Sequence, residues 1–297
     1  MFENVIVGVD RHGGGRDAIA LAKELRDEAG SLTLAHVYSG DGHTWGGSPP
    51  EHDLDKRAKI AELLETAGKE AGVVAAMRWR ESPSVGRGLH ELCESLEADL
   101  LVVGSSHRGL FGRVLLGDDT HAALNGAPCA VAVAPAGYAQ RPGSIGKIGV
   151  AYNGSPESEH ALAVARTMAA ERGATLSALE AVSLPAYSLI GRATVDAAIE
   201  ELVEDARERI VALGGVEPHA VYGAPAEELS LYSGSLDLLV VGSRGYGPIG
   251  RLVHGSTSQQ LVRTARCPLL VLTRTARATD AMDTTEQDQE VAAAAET

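Results

Sequence analysis

The heptapeptide DLLVVGS occupies residues 99–105 and recurs unchanged at residues 237–243. The similarity extends past it, because eleven of the nineteen positions from Asp99 to Gly117 are identical 138 residues later. A repeat of this length indicates a tandem duplication of one structural unit.

Each copy alternates short apolar runs with stretches of helical spacing. In the first copy this pattern predicts strands at Val5–Val9, Leu32–Tyr38, Val74–Trp79, Leu100–Val103 and Ala130–Ala134, and helices over Asp17–Ala29, about Asp53–Ala71 and about Val85–Leu96. Strands that alternate with helices predict a parallel sheet covered on both faces. We therefore predict an α/β protein with two tandem open parallel five-stranded sheets, each flanked by helices.

The repeat also predicts the limits of the domains. We expect a first domain at 1–135, a Gly- and Pro-containing linker at 136–146, and a second domain at 147–275. The remaining stretch, 276–297, has no Lys or Arg after Arg277 and is rich in acidic residues, so we expect a disordered tail.

Composition excludes several classes of partner. The formal net charge of −14 disfavours binding to nucleic acid or to an anionic membrane. The apolar runs are too short to cross a bilayer, and no signal peptide is evident. Three cysteines cannot all pair, and we expect Cys129 and Cys267 to be buried structural thiols. Together these features predict a cytoplasmic protein.

The turn after the fourth strand of the second copy is typical of a phosphate site. Gly242 and Gly245 let the backbone approach a ligand, and Gly255 precedes a helix whose first N–H groups are unpaired. Hydroxyls at 256–258 and the positive charge of Arg244 and Arg251 add to this. The structural alternative is that glycines only form the turn and a hydroxyl only caps the helix. The combination favours anion binding.

Other motifs do not support catalysis. Residues 245–250 spell GxGxxG, but they follow the fourth strand, contain Pro248, and lack the acidic residue about twenty positions on that a dinucleotide site needs. No P-loop is present. His90, Glu91 and Glu94 resemble a metal-binding helix that lacks its second histidine, so an exposed helix face is favoured. No nucleophilic triad is proposed.

At these residues the chain resembles the universal stress protein family in its tandem form. The family pattern G-x2-G-x9-G-[ST] is matched by Gly242, Gly245, Gly255 and Ser256. Supporting marks are Asn153-Gly154-Ser155, Gly223-x-Pro225 and Arg266-Cys267-Pro268, and the resemblance covers about residues 1–275. It implies an adenine-nucleotide α-hydrolase-like fold with strand order 3-2-1-4-5.

The resemblance also implies ATP as the ligand, with or without Mg²⁺, in the second copy. The implied site comprises Asn153, Gly154 and Ser155 after the first strand, Ala181 and Val182 beside the base, Val241 near the sugar, and Gly242, Arg244, Gly245, Gly255, Ser256 and Thr257 around the phosphates. The family usually has Asp at the position of Asn153. The amide can still form a hydrogen bond but lacks the charge.

The first copy departs from this pattern. His107 replaces the middle glycine, and Asp118 and Asp119 follow Gly117 in place of hydroxyl residues. Two carboxylates at this helix start repel a polyphosphate unless a metal bridges them, or they only cap the helix. We expect weak binding or none here, with Asp10, Gly104 and Gly117 as the residues of a weak first site.

These observations favour a nucleotide-dependent regulator in the stress response, acting through an unidentified protein partner, over an enzyme. No general base, nucleophile or metal cluster is evident. A slow ATPase or an adenylating enzyme is one alternative, and a partner-binding module without a ligand is another. By the resemblance, the last strands Ala130–Ala134 and Leu269–Leu272 lie at sheet edges. We expect them to pair within one chain as a pseudo-dimer, and a homodimer is a further possibility.

Overall fold

The computed structural model describes residues 2–11, 14–38, 50–105, 118–183, 192–243 and 256–272. The first half contains β1 (Phe2–Gly8), α1 (Gly14–Leu25), β2 (Arg26–Tyr38), α2 (Pro50–Ala71), β3 (Ala76–Glu81), α3 (Val85–Ser95), β4 (Leu100–Gly104), α4 (Asp118–Leu124) and β5 (Ala130–Ala134). The second half contains β6 (Lys147–Ala151), α5 (Pro156–Arg172), β7 (Thr175–Val182), α6 (Arg192–Ala212), β8 (Glu217–Tyr222), α7 (Pro225–Tyr232), β9 (Leu238–Gly242), α8 (Ser256–Thr264) and β10 (Leu269–Leu272). The tail predicted at 276–297 lies outside the described residues.

The ten strands form one sheet in the order β3-β2-β1-β4-β5-β10-β9-β6-β7-β8. Each half has the predicted order 3-2-1-4-5, and its strands are parallel, which confirms the α/β fold class. The apolar strand runs explain this arrangement: β4, β5 and β10 are buried along almost their whole length, as expected for strands covered on both faces.

The two halves meet at an antiparallel seam between β5 and β10. Its register pairs Val133 with Leu269, Ala132 with Leu270 and Val131 with Val271. The pairing of these two strands within one chain was predicted, and it joins the two expected sheets into a single one. Apolar residues of both halves then form shared core clusters on the two faces of the sheet.

The repeated aspartate of DLLVVGS ties the fourth strand of each half to the first. Asp99 accepts hydrogen bonds from the backbone N–H groups of Glu3 (2.6 Å) and Asn4 (3.1 Å). Asp237 accepts them from Gly146 (3.0 Å) and Lys147 (2.8 Å). The carboxylate thus satisfies donors at the edge of the sheet where the central strand begins.

The stretch between the halves is anchored to α1. The N–H groups of Gly137 and Ala139 each donate to the Asp17 carboxylate at 2.8 Å. At the other end of α1, the Arg172 guanidinium donates to the Glu24 carbonyl. Helix α1 of the first half therefore contacts both the connecting segment and α5 of the second half.

Several predicted boundaries in the first half were wrong, including the start of β2, which was predicted at Leu32 and lies at Arg26. The helix predicted to run to Ala29 ends at Leu25, because β2 begins at Arg26, which is in register with Phe2 of β1. The third strand runs over Ala76–Glu81 rather than Val74–Trp79, and Val74 is fully exposed. Strand pairing decided both limits, and local periodicity did not show it.

Candidate functional site

A cavity of about 260 Å³ lies at the carboxyl edge of the second half, where parallel α/β sheets place their ligands. Its described lining consists of Ala151, Tyr152, Asn153, Ser155, Glu157, Ser158, Leu179, Ala181, Pro225, Leu229, Val241, Gly242, Thr257, Ser258 and Leu261. Six of the residues predicted for the nucleotide site are among them. Strands β6, β7 and β9 and the starts of α5 and α8 bring these six together.

Asn153, Gly154 and Ser155 form the turn that leads into α5. The Asn153 Oδ1 accepts a hydrogen bond from the Ser155 N–H at 3.2 Å, and Gly154 has a left-handed φ of 69°. Ser155 is the N-cap of α5, since its Oγ accepts from the Ser158 N–H at 3.3 Å. These polar side chains shape the turn, and Asn153 and Ser155 border the cavity as well.

At the end of β9, Gly242 makes room for the first turn of α5. A Cβ placed on Gly242 would lie 2.2 Å from the Glu157 carbonyl oxygen. The first half repeats this contact, because a Cβ on Gly104 would lie 2.1 Å from the Gly14 carbonyl oxygen. Glycine at this position is therefore required by packing between strand and helix, whether or not a ligand is bound.

The remaining predicted residues are divided between the site and other parts of the chain. Thr257 and the buried Ser258 line the cavity from the first turn of α8. Val182 is half-buried at the end of β7 and does not belong to the described lining. Arg244, Gly245 and Gly255 lie outside the described residues. Ser256 begins α8, and its side chain is likewise outside what the structure describes.

The described lining of this cavity carries one carboxylate, Glu157, and no Lys or Arg. Tyr152 is the other ionisable side chain there. Burial and a hydrogen bond to the Glu159 carboxylate raise the pKa of Tyr152 to about 12, so the phenol stays neutral and donates to Glu159.

The first half has a larger cavity, of about 820 Å³, at the equivalent edge of its sheet. Asp10 and Gly104, two of the residues predicted for a weak first site, line it, whereas Gly117 lies outside the described residues. The helix α4 begins at Asp118, and the side chains at 118–120 are not described.

Three cations border this first-half cavity: Arg11 after β1, and Lys56 and Lys59 on α2. The two lysines do not stand out in the sequence, because α2 follows a strand that carries no family motif. Their i, i+3 spacing, which places both on one helix face, is the feature that could have found them. His36 also borders the cavity, and its Nδ1–H donates to the Val9 carbonyl at 2.7 Å.

Other sequence expectations have clear outcomes in the described parts of the chain. All three cysteines are free and buried, so the expectation of buried structural thiols at Cys129 and Cys267 is confirmed. Within those parts, no group of three His, Cys, Asp or Glu side chains is placed to hold a metal ion. None of the described helices is long and apolar enough to cross a membrane.

Comparison with known proteins points to one family. A model of the universal stress protein family matches residues 1–135 and 144–273. A universal stress protein of Mycobacterium tuberculosis is 30% identical over 286 residues, which cover 90% of this chain and 96% of that protein. One of Thermus aquaticus is 34% identical over 131 residues, or 41% of this chain and 95% of its own length.

Solved structures agree on the fold. The crystal structure of a universal stress protein from Archaeoglobus fulgidus has a TM-score of 0.63 at 19% identity, covering 91% of this chain and 98% of that one. A second, from Pseudomonas aeruginosa, has a TM-score of 0.57 at 18% identity and covers 91% of this chain and 93% of its own. These neighbours support the adenine-nucleotide α-hydrolase-like architecture predicted from the sequence.

Proposed function

The chain belongs to the universal stress protein family, and on that basis we propose that it is a regulator that binds ATP in its second half. One observation carries the proposal: six residues selected from the sequence converge on a single cavity, although they come from four separate segments of the chain. They are Asn153, Ser155, Ala181, Val241, Gly242 and Thr257.

The walls of this cavity suit the base and the sugar of a nucleotide. Leu179, Ala181 and Leu229 supply apolar surface, and Asn153 and Thr257 supply hydrogen-bonding groups at its border. A volume of about 260 Å³ is below the usual range of small-molecule sites, roughly 300–1,000 Å³. We therefore propose that the triphosphate extends from the cavity toward the N-terminus of α8.

The phosphates would contact the glycine loop and the first turn of α8. A helix N-terminus offers unpaired N–H groups and a favourable dipole to an anion. Arg244 and Arg251 would supply the positive charge that the described lining lacks. No catalytic group is assigned, so we propose that nucleotide occupancy alters a surface that is recognised by a protein partner in the cytoplasm. We also propose that the two domains comprise residues 1–135 and 147–275.

Calorimetric titration of ATP into the full chain tests the proposal. We expect Gly245→Glu and Gly255→Glu each to weaken binding at least tenfold, because a carboxylate would face the phosphates. The matched control is Gly143→Glu, which makes the same chemical change where no atom lies within 4 Å of the added Cβ. Unchanged affinity in both loop variants would contradict the proposal.

A second variant tests the described part of the site. Ala181→Trp places an indole in the cavity and should abolish binding of ATP while the far-UV spectrum and melting temperature show that the fold is retained. Mass spectrometry of nucleotide carried through native purification then identifies the physiological ligand. Fast, metal-dependent release of ADP by the purified protein would instead indicate an enzyme.

A further inference from the structure

We propose that Cys93 and Cys129 form a reversible disulfide bond when the protein meets an oxidising low-molecular-weight disulfide, such as oxidised glutathione. This modification site does not rest on nucleotide binding by either half. Both thiols are free in the described structure. Their arrangement sets them apart from the third cysteine, Cys267.

The backbone of the first half brings the two cysteines together. Cys93 lies in the last turn of α3, and its carbonyl accepts a hydrogen bond from the Ala98 N–H at 2.9 Å. Ala98 lies two residues before Leu100, which begins β4 and is in register with Ala130 of β5. Cys129 directly precedes Ala130, so it lies beside the turn that leads from α3 into β4.

Both side chains lie in one apolar core cluster and contact each other. Cys93 is 1% exposed and Cys129 is 4% exposed, and the cluster around them also contains Leu101 and Val131. A hydrogen bond with the Cys129 thiol, and then burial, raise the pKa of the Cys93 thiol well above its usual range. Thiols in such contact can reach the S–S bond length of about 2.05 Å through side-chain rotation and a small backbone shift.

The second half repeats one of these cysteines but not the pair. Cys267 follows Cys129 by 138 residues, the offset of the duplication, and it is also buried. Its thiol donates a hydrogen bond to the Pro268 carbonyl at 3.3 Å. A buried position before the last strand therefore accounts for one cysteine in each half. It does not account for Cys93 beside Cys129.

A route for the oxidant lies between α3 and α4. An open cavity of about 740 Å³ is lined there by neighbours of both cysteines, namely His90 and Glu94 on α3 and Asn125 and Gly126 in the turn that leads toward Cys129. The thiols themselves are buried, and only an accessible thiolate reacts. The reaction therefore requires α3 and α4 to separate locally, and we expect it on the timescale of that opening.

The reaction consists of two thiol–disulfide exchanges. In the first, one cysteine loses its proton to solvent, and its thiolate attacks a sulfur of oxidised glutathione. This forms a mixed disulfide and releases one glutathione thiolate. In the second, the other cysteine loses its proton, and its thiolate attacks the protein sulfur of the mixed disulfide and releases the second glutathione thiolate. The cysteines lose two electrons, and the two glutathione thiolates take up two protons.

The new bond would close a loop over residues 93–129, which contains all of β4 and α4. A crosslink of this kind stabilises a protein mainly because it restrains the unfolded chain. We therefore expect the melting temperature to rise by roughly 5–10 °C on oxidation and to return to its starting value after reduction.

The test is incubation of the full chain with oxidised glutathione at pH 8, followed by peptide mapping without reductant and by thermal unfolding. Incubation continues beyond the time that a thiol reagent needs to label all three cysteines, so that every thiol has been exposed. We expect a disulfide between Cys93 and Cys129 and the higher melting temperature, both reversed by dithiothreitol. Cys267→Ala is the matched control and should keep both responses, whereas Cys93→Ala and Cys129→Ala should each lose them.

Peptide mapping of the wild-type chain decides the question even if an alanine variant fails to fold. Unmodified thiols, glutathione adducts alone, a link between two chains or a disulfide that includes Cys267 would each overturn the inference. None of these outcomes bears on the nucleotide site of the second half, which the titration of ATP tests separately.

Discussion

Gly242 offers a direct test of whether packing or ligand binding requires a glycine at the end of β9. A Cβ at this position would lie 2.2 Å from the Glu157 carbonyl oxygen and 2.5 Å from the carbonyl carbon. Ordinary van der Waals contact for a Cβ starts at 3.4 Å. Gly242→Ala therefore forces β9 and the first turn of α5 apart by about 1.2 Å.

This displacement cannot be absorbed by a side-chain rotation, because the contact is with backbone. The first turn of α5 is also fixed by the Ser155 cap and by Pro156 at its first position. Overpacking of a close-packed interior costs about 1–3 kcal/mol, and we expect a value near the upper end, about 3 kcal/mol. At about 2–4 °C per kcal/mol, the melting temperature should fall by roughly 6–12 °C.

The measurement is thermal and urea unfolding of ligand-free protein followed by circular dichroism. Gly143→Ala, with no atom within 4 Å of the new Cβ, is the control and should change stability by less than about 0.5 kcal/mol. Gly104→Ala should behave like Gly242→Ala, since its Cβ would lie 2.1 Å from the Gly14 carbonyl oxygen. Wild-type stability of ligand-free Gly242→Ala, combined with lost ATP affinity, would refute the packing explanation.

Three further predictions follow from buried polar groups. Burial raises the pKa of Asp17, so protonation of its carboxylate favours the folded state. The free energy of unfolding of wild type relative to Asp17→Asn should therefore rise as the pH falls toward 3.8, which urea unfolding at several pH values can measure. The three cysteines are buried, so labelling by a thiol reagent at pH 8 should be no faster than unfolding, and rapid labelling would contradict the described burial. Arg209→Ala leaves the buried Glu180 without its ion partner and should lower the free energy of unfolding in urea by about 1–2 kcal/mol, less than for a fully buried pair because Arg209 is half exposed. The control Arg207→Ala removes an exposed ion pair and should leave that free energy almost unchanged.

The fold could be predicted from the sequence because the repeat, the apolar runs and the helical spacing all indicate the same α/β unit. The repeated DLLVVGS marks a strand buried on both faces, and the order of the strands was implied by the family resemblance. The sequence alone could not show why the aspartate of DLLVVGS is repeated. Asp99 and Asp237 accept hydrogen bonds from backbone N–H groups ninety or more positions away, and no local pattern predicts such a contact.

Only the part of the candidate site that resembles the family was predicted from the sequence. Asn153, Ala181 and Thr257 were selected by resemblance, and they do line one cavity. Lys56 and Lys59 were not selected because their position beside the first-half cavity depends on how α2 packs against β2, which is a tertiary relation. The limits of α1 and β3 were wrong for a similar reason: pairing between strands overrode helical and strand periodicity.

The seam between β5 and β10 contains only three residue pairs in its register, but both strands belong to the same molecule. Tethering keeps the effective concentration of the partner strand high, so a short contact suffices. A pair of identical subunits would carry identical ligand sites, and every substitution would appear twice. Covalent fusion removes that symmetry, so each half of this chain is free to evolve its own binding specificity while retaining its neighbour.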